Sequence, residues 1–175
     1  NKCVKLENLS GSEGDVDELI SASINLSNLE SASISFKYAF AKRYSSNSDF
    51  LRIYASFDCG ENWNPRKTIS SNSLPTYPNT TSPFVPDEDS WETVSVPGIS
   101  NAYLNDNFRL KFEFNSGGGN DLFIDDININ GVVSVPENTL ITNFSAFPNP
   151  AENQVKILFY NRFKLEDASI RLLDG

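Results

Sequence analysis

Two adjacent aspartates, Asp125 and Asp126, stand inside the last strong strand signal of the chain, in the sequence LFIDDININ. Neighbouring side chains of a regular strand point to opposite faces, so one of the two carboxylates should lean toward the core. A buried carboxylate is costly unless it is paired, hydrogen-bonded or bound to a metal. The pair therefore predicts either a partner, which can be an arginine or lysine, a set of backbone N–H groups or a metal cation, or a β-bulge that lets both carboxylates reach water.

A second acidic segment lies near the start of the chain. Glu13, Asp15, Asp17 and Glu18 fall within six residues of a polar, glycine-broken stretch. A solvated surface loop is the commoner reason for such a density of acids. The other is that the segment supplies half of a calcium site, because calcium is bound by carboxylate and carbonyl oxygens.

The chain contains no histidine, which removes several kinds of catalytic chemistry. A serine or cysteine nucleophile activated by histidine and a histidine-ligated zinc site are both excluded within it. Glycoside hydrolysis needs only two carboxylates, but single acids in loops are usually solvated. Glu113 alternates with Lys111 and Arg109 on one polar face, as cross-strand ion pairs require. We therefore expect a protein that is not an enzyme.

Composition indicates an extracellular β protein. The 175 residues carry a formal net charge of -9 and no basic stripe, so nucleic acid is a poor partner. No apolar run is long enough for a membrane helix and no leader opens the chain, which predicts a secreted or cell-surface fragment of a longer precursor. Cys3 and Cys59 permit one disulfide, which we favour over two free thiols in an exported protein.

Strict alternation of apolar and polar residues predicts an all-β fold. The clearest strands cover Ala32 to Ala41, Asp49 to Asp58 and Phe108 to Phe114, and another begins near Trp91 and is stopped by Pro97-Gly98. Seven or eight antiparallel strands without a helix can bury themselves only as two packed sheets. The sequence thus predicts a β-sandwich of jelly-roll type.

Aromatic side chains outside the alternating strands are candidates for binding sugar rings. Tyr77 and Phe84 lie in a long loop rich in proline, serine and asparagine, where we expect them to be exposed, and Tyr44 is a third candidate. Trp63 and Trp91 are expected to fill the core instead. An extracellular glycan or a protein is therefore a possible ligand.

Composition changes near Gly131. We predict a jelly-roll domain over residues 1–132, a linker over 133–146 and the start of a second, incomplete unit over 147–175, which opens with the rigid turn Pro148-Asn149-Pro150. Two or three strands do not make a stable core alone.

The first unit resembles the MAM-like jelly-roll modules of secreted Bacteroidetes proteins, which often follow the catalytic domain of pappalysin-like metalloproteases. The resemblance is carried by Asp17-Glu18-Leu19-Ile20-Ser21, Asp49-Phe50-Leu51, Ser56-Phe57-Asp58-Cys59-Gly60 with Trp63, Trp91-Glu92, Phe108-Arg109-Leu110-Lys111-Phe112-Glu113 and Leu122-Phe123-Ile124-Asp125-Asp126-Ile127. It implies a non-catalytic accessory or adhesion module.

The last residues are similar to the C-terminal sorting domain of the type IX secretion system. The similarity rests on Phe147-Pro148-Asn149-Pro150-Ala151, Val155-Lys156-Ile157 and Ile170 to Gly175. In that family the tail is an address that the export machinery reads, so the similarity implies this machinery as a partner.

The resemblance to MAM-like modules also implies a structural calcium ion between the first and the last strand. It implies a ligand from Asp125 or Asp126, and the remaining candidates, by location and chemistry, are Glu7, Asn8, Asp15 and Asp17, with Asp49 a weaker one. On this basis we favour a metal over the bulge at the aspartate pair.

Overall fold

The computed structural model describes residues 2–133, 144–147 and 156–159. The chain divides into two compact units, Asn1–Ser134 and Val135–Gly175. The described residues contain no helix that is long and apolar enough to cross a membrane.

Eight strands build the first unit. They are β1 (Val4–Leu6), β2 (Val16–Ile20), β3 (Leu29–Ala39), β4 (Phe50–Ser56), β5 (Asn64–Ile69), β6 (Glu92–Ile99), β7 (Arg109–Asn115) and β8 (Leu122–Val133). Two single-turn 3₁₀ helices, Glu88–Ser90 and Asn101–Tyr103, lie in the connections, and the described residues hold no α-helix.

The strand order identifies a jelly roll. Two four-stranded antiparallel sheets run β1-β8-β3-β6 and β2-β7-β4-β5. The pairs β1–β8, β2–β7, β3–β6 and β4–β5 are those of one long hairpin, rolled so that successive pairs fall in opposite sheets. The predicted β-sandwich of jelly-roll type is confirmed.

Alternate side chains of the two sheets meet in one core. Phe36 of β3 packs edge-to-face on Phe112 of β7 with ring centroids 4.9 Å apart, and Phe40 packs in the same way on Phe114 at 5.7 Å. Such pairs contribute about 0.5–1.5 kcal/mol beyond the area they bury. The polar residues between them, such as Lys37, therefore point away from the core.

The predicted stop at Pro97-Gly98 is wrong. Strand β6 continues through both residues to Ile99, and its pairing with β3 shifts register between Ala32 and Ile34. Proline has no N–H to donate to a neighbouring strand. Because β6 is an edge strand, with no neighbour on one side, Pro97 can be accommodated in it. Gly98 adopts a φ of 74°, which glycine accepts without strain, so the bulge absorbs both residues.

In the second unit, β9 (Phe144–Phe147) pairs antiparallel with β10 (Lys156–Phe159). Strand β9 begins inside the predicted linker over 133–146, and β8 ends at Val133. The rest of the predicted linker and of the predicted sorting domain over 147–175 lies outside the described residues.

Candidate cation site and ligand-binding face

Asp49 is the most completely buried acid in the described part of the chain, with none of its surface exposed. It precedes β4 directly, at the end of the connection from β3. Its Oδ1 accepts three hydrogen bonds: from the backbone N–H of Gly117 at 2.7 Å, the N–H of Gly119 at 3.0 Å, and Nδ2 of Asn8 at 2.9 Å. These donors compensate the lost hydration of one carboxylate oxygen.

The backbone of residues 117–119 lies so close to Asp49 that Gly117 and Gly119 must be glycine. A Cβ atom on Gly117 would lie 2.3 Å from the backbone nitrogen of Asp49, and one on Gly119 would lie 2.6 Å from Oδ2 of the same residue. Any side chain at these positions would displace the backbone or the carboxylate. The glycine run thus serves to bring N–H donors onto Asp49.

Asn8 is the third residue that donates a hydrogen bond to Asp49. We call Asn8, Asp49, Gly117 and Gly119 the Asn8–Asp49 cluster. It is 2% exposed, and its Nδ2 donates to Asp49 and, at 3.0 Å, to the carbonyl of Asn120. Two buried oxygens remain without a hydrogen-bond partner among the described residues: Oδ1 of Asn8 and Oδ2 of Asp49. Each such orphan costs about 1–3 kcal/mol, and more where the group is charged.

A hard cation fits the chemistry of this cluster. The unpaired atoms are a carboxylate oxygen and an amide oxygen, both ligand types that calcium uses. No group of three or more acidic or cysteine side chains in the described residues is close enough to share a metal. A cation held by Asn8 and Asp49 would therefore take its remaining ligands from backbone carbonyls or water.

The acids predicted near the N-terminus do not all join the cluster. Glu7, adjacent to Asn8, is exposed and forms an ion pair with Lys5 at 3.0 Å. Asp15 accepts a backbone N–H within its own turn, and Asp17 lies on β2. Of the candidates named from the sequence, the structure brings together only Asn8 and the weaker candidate Asp49.

Asp125 and Asp126 occupy a β-bulge at a different place. The pairing of β3 with β8 shifts register between Ser35 and Lys37, and Asp126 has a φ of 49°. Its Oδ2 lies 2.7 Å from Nζ of Lys37, and this hydrogen bond raises the pKa of that ammonium. A bulge and a lysine therefore both accompany the aspartate pair.

The register of β1 against β8 shows that the Asn8–Asp49 cluster and the Asp125–Asp126 pair lie at different positions along β8. Leu6 pairs with Leu122 and Val4 with Ile124, so Asn8 lies beyond the start of β8 while the aspartates follow Ile124. The structure does not bring Asp125 or Asp126 to the cluster that contains Asn8.

The favoured disulfide is not formed. Cys3 and Cys59 are free, exposed thiols in different surroundings. Cys3 precedes β1, whereas Cys59 lies in the turn after β4, where its Sγ is 3.2 Å from Oδ1 of Asn107. The expectation of a bridge is therefore wrong for this structure.

The loop aromatics differ in exposure from one another. Tyr77 is exposed as predicted, at 41%, and the third candidate, Tyr44, is exposed at 55%. Phe84 is buried, against expectation, because its ring packs between Tyr77 and Phe123 and its backbone N–H is bound by Oδ1 of Asn120. It belongs to a small second apolar cluster and is unavailable to a ligand.

The outer face of the β2-β7-β4-β5 sheet carries a network centred on Lys111. Its Nζ donates to Oε1 of Glu18 on β2 and lies 3.3 Å from Oε2 of Glu113. Oε1 of Glu113 accepts from the hydroxyl of Tyr54 at 3.2 Å and lies 3.5 Å from Nη1 of Arg52. The predicted cross-strand ion pairs are present as Lys111–Glu18 and Arg52–Glu113, whereas the contact of Lys111 with Glu113 lies within β7.

Two aromatic rings flank the same ammonium. Nζ of Lys111 lies 4.8 Å from the ring centroid of Tyr54 and 5.2 Å from that of Trp63. Burial lowers the pKa of Lys111, but hydrogen bonds and charges from Glu18 and Glu113 outweigh it and raise the pKa overall. We call Lys111, Glu113, Arg52, Tyr54 and Trp63 the Lys111 face.

The Lys111 face was not predicted from the sequence, because the tryptophans were expected in the core. Both Trp63 and Trp91 are only half-buried. The signal was present in the alternation of β4, which puts Arg52 and Tyr54 on the polar side of a strand. With Lys111 and Trp63, they bring two cationic and two aromatic side chains to one sheet face.

No protein-family model matches the chain, and no curated protein matches it. Among solved structures it is similar to the carbohydrate-binding module TmCBM61 in complex with β-1,4-galactotriose, with 14% identity, a TM-score of 0.45, and coverage of 74% of this chain and 70% of that one.

Two further structures are similar to the same degree. One is the K3 cleaved adhesin domain of Lys-gingipain from Porphyromonas gingivalis W83, with 15% identity, a TM-score of 0.49, and 73% and 72% of the two chains covered. The other is CBM27-1 of Caldicellulosiruptor saccharolyticus in complex with mannohexaose, with 11% identity, a TM-score of 0.44, and 71% and 72% covered. Likeness at this level does not assign a ligand to this chain.

The Lys111 network should make stability sensitive to acid. Burial raises the pKa of Glu113, but its hydrogen bonds to Asn115 and Lys111 outweigh this and lower the pKa below its usual value of 4.5. A carboxyl whose pKa is lower in the folded state stabilises the fold above pH 4.5 and loses that contribution as the pH falls through the folded pKa.

We predict that Glu113→Gln lowers the free energy of unfolding at neutral pH by about 1–3 kcal/mol and weakens its decrease in acid. Chemical denaturation between about pH 7 and pH 3 measures both effects. Glu61→Gln, at an exposed acid, serves as the control. An unchanged acid dependence in Glu113→Gln would show that the network does not contribute.

Proposed function

We propose that this chain is a non-catalytic binding module of a secreted or cell-surface protein, that its ligand is a glycan held on the Lys111 face, and that a calcium ion stabilises its jelly roll. The observation that carries the proposal is the arrangement of Tyr54 and Trp63 around a fixed network of donors and acceptors on an open sheet face.

Sugars present two kinds of surface, and the Lys111 face has a counterpart for each. The C–H faces of a pyranose stack on aromatic rings, which Tyr54 and Trp63 supply. The hydroxyls need donors and acceptors, which Arg52, Lys111 and Glu113 supply. These groups already hold one another in place, so little side-chain entropy is lost when a ligand binds.

A protein ligand, as in an adhesion module, is the second candidate. It is favoured by the exposed rings of Tyr44 and Tyr77 in the connections, since aromatic side chains are enriched at protein interfaces. The two candidates use different aromatic residues, and substitutions therefore separate them.

We predict that Trp63→Ala weakens binding to a glycan selected from an array by about 30-fold, which corresponds to about 2 kcal/mol for a central aromatic contact. Isothermal titration calorimetry with the selected oligosaccharide measures the change. Tyr44→Ala should bind as the wild type does, because Tyr44 lies in the connection between β3 and β4 and is not part of the Lys111 face.

Two results would count against the glycan proposal. One is an array on which the wild-type chain shows no hit above background. The other is a Trp63→Ala variant that keeps full affinity while Tyr44→Ala or Tyr77→Ala loses it, which would favour the second candidate.

The calcium proposal moves the site from the aspartate pair to the Asn8–Asp49 cluster. Its support is the pair of buried oxygens without hydrogen-bond partners, one of which belongs to a carboxylate. A bound divalent cation would satisfy both and offset the cost of burying the charge. Asp125 and Asp126 have Lys37 as a cationic neighbour without any metal.

We predict that calcium raises the melting midpoint of chelator-treated protein by about 5–10 °C at 100 times its Kd, equivalent to about 2.7 kcal/mol. Differential scanning calorimetry with calcium, with magnesium and with EDTA measures it. The increment should vanish in Asp49→Asn and persist in Asp125→Asn.

The readout is the difference between midpoints with and without calcium, because Asp49→Asn alone can lower both. A midpoint that calcium does not change in the wild type would contradict the proposal. So would an increment that Asp125→Asn abolishes and Asp49→Asn leaves intact.

The tail completes the proposal. Its similarity to type IX sorting domains, carried by Phe147-Pro148-Asn149-Pro150, supports export by that machinery and hence a position outside the cell. In this account the machinery is the partner of the second unit, and the ligand is the partner of the first.

A further inference from the structure

A groove of about 620 Å³ lies against the outer face of the other sheet, β1-β8-β3-β6. Its lining residues are Cys3, Lys37, Val85, Pro86, Asp87, Glu88, Trp91, Phe123, Asp125 and Asp126. We call it the acidic groove. We propose that it binds an extended peptide segment of a partner protein through an arginine side chain. The proposal goes beyond glycan binding, because it concerns a different face and a different ligand.

The floor of the acidic groove is apolar. Trp91 and Phe123 are half-buried and pack against the small cluster that contains Ala39, Ala41 and Phe84, so their positions are fixed by the fold. Val85 at the rim is 79% exposed. A ligand that covers these side chains would remove apolar surface from water.

The rim is acidic, and the described cations do not neutralise it. Four carboxylates, Asp87, Glu88, Asp125 and Asp126, face one ammonium, that of Lys37. Lys37 is within 2.7 Å of Asp126. Glu88, Asp87 and Asp125 form no ion pair with any residue in the described part of the chain, so the groove presents surplus negative charge to a ligand.

Local structure holds two of these carboxylates in place. Oδ1 of Asp125 accepts the N–H of Asp126 at 2.8 Å within the bulge. Asp87 precedes the 3₁₀ turn Glu88–Ser90 and exchanges hydrogen bonds with Ser90 in a capping box. Asp125 and Asp126 thus both line the acidic groove from the bulge in β8.

Arginine matches this combination better than other ligands. Its aliphatic stem can lie on Phe123 and Val85, its planar guanidinium stacks on an indole such as Trp91, and its donors pair with carboxylates. Lysine lacks the stacking plane. A neutral sugar would form no ion pair with the surplus carboxylates, and an anionic sugar would be repelled by them.

The test uses the peptide Gly-Leu-Arg-Leu-Gly, labelled with fluorescein at its N-terminus and amidated at its C-terminus, and the same peptide with citrulline, which is neutral and nearly isosteric with arginine. Fluorescence anisotropy with the full chain measures both affinities. We expect saturable binding of the arginine peptide and at least about 10-fold weaker binding of the citrulline peptide.

The groove is located by matched double variants. Glu88→Gln with Asp125→Asn should weaken the arginine peptide by about 10- to 100-fold. Glu61→Gln with Asp106→Asn removes the same charge from exposed residues elsewhere and should leave the affinity within about twofold. If the first double variant has a lower melting midpoint than the wild type, the single variant Glu88→Gln replaces it in the binding test, because Glu88 is exposed and its substitution should not disturb the fold.

Three results would overturn the proposal: no saturable binding of the arginine peptide, equal affinity for the citrulline peptide, or an equal loss in the control variant. The third would assign binding to the overall negative charge of the chain. Trp63→Ala should leave peptide binding unchanged, so failure here is independent of the glycan proposal.

Discussion

Burying a carboxylate is possible only where polar groups replace the water it loses, and Asp49 imposes this requirement on the rest of the fold. Its Oδ1 accepts hydrogen bonds from the backbone of Gly117 and Gly119 and from the amide of Asn8, two segments that are remote from Asp49 and from each other in sequence. Asn120 follows directly and binds the carbonyl of Thr80 and, through its Oδ1, another N–H of the long loop. Hydrogen bonds of Asp49 and of the neighbouring Asn120 therefore connect the N-terminal segment, the segment before β8 and the loop before β6.

The same network explains why only one half of the carboxylate is satisfied. The backbone N–H groups of the glycine run converge on Oδ1, and the Cα of Gly119 packs close to Oδ2. No described donor reaches Oδ2, or Oδ1 of Asn8. Both atoms are of ligand types that calcium uses, and this is the support for the proposed cation, which would link the segments in addition to their hydrogen bonds.

In the first unit, the two outer faces of the jelly roll differ in charge balance. On the Lys111 face, Lys111 and Arg52 balance Glu18 and Glu113, and the rings of Tyr54 and Trp63 stand among neutralised pairs. In the acidic groove the carboxylates outnumber the single ammonium. A polar, uncharged ligand suits the first face and a cationic one suits the second.

Local pattern was enough to predict the strands and the architecture. Alternation in β3, β4 and β7 is a property of neighbouring residues, and eight such strands have few ways to bury themselves. The bulge was available as an alternative because Asp125 and Asp126 break that alternation. Pro97-Gly98 was misjudged because only the sheet order shows that β6 is an edge strand.

The Asn8–Asp49 cluster could not be predicted from local pattern, since its members come from segments more than forty residues apart. Its one visible signal was the run of glycines at 117–119, which marks a close backbone approach without saying to what. Phe84 and Trp63 were misplaced for the same reason. Whether a loop aromatic is buried depends on side chains such as Phe123 that only the fold brings to it.

A crystal structure grown with calcium tests the central claim most directly. The account predicts an ion bound to Oδ2 of Asp49 and Oδ1 of Asn8 at about 2.3–2.6 Å, with further oxygen ligands and an anomalous signal that identifies calcium. A water molecule at hydrogen-bond distance from both oxygens, with calcium bound at Asp125 and Asp126 or nowhere, would contradict it.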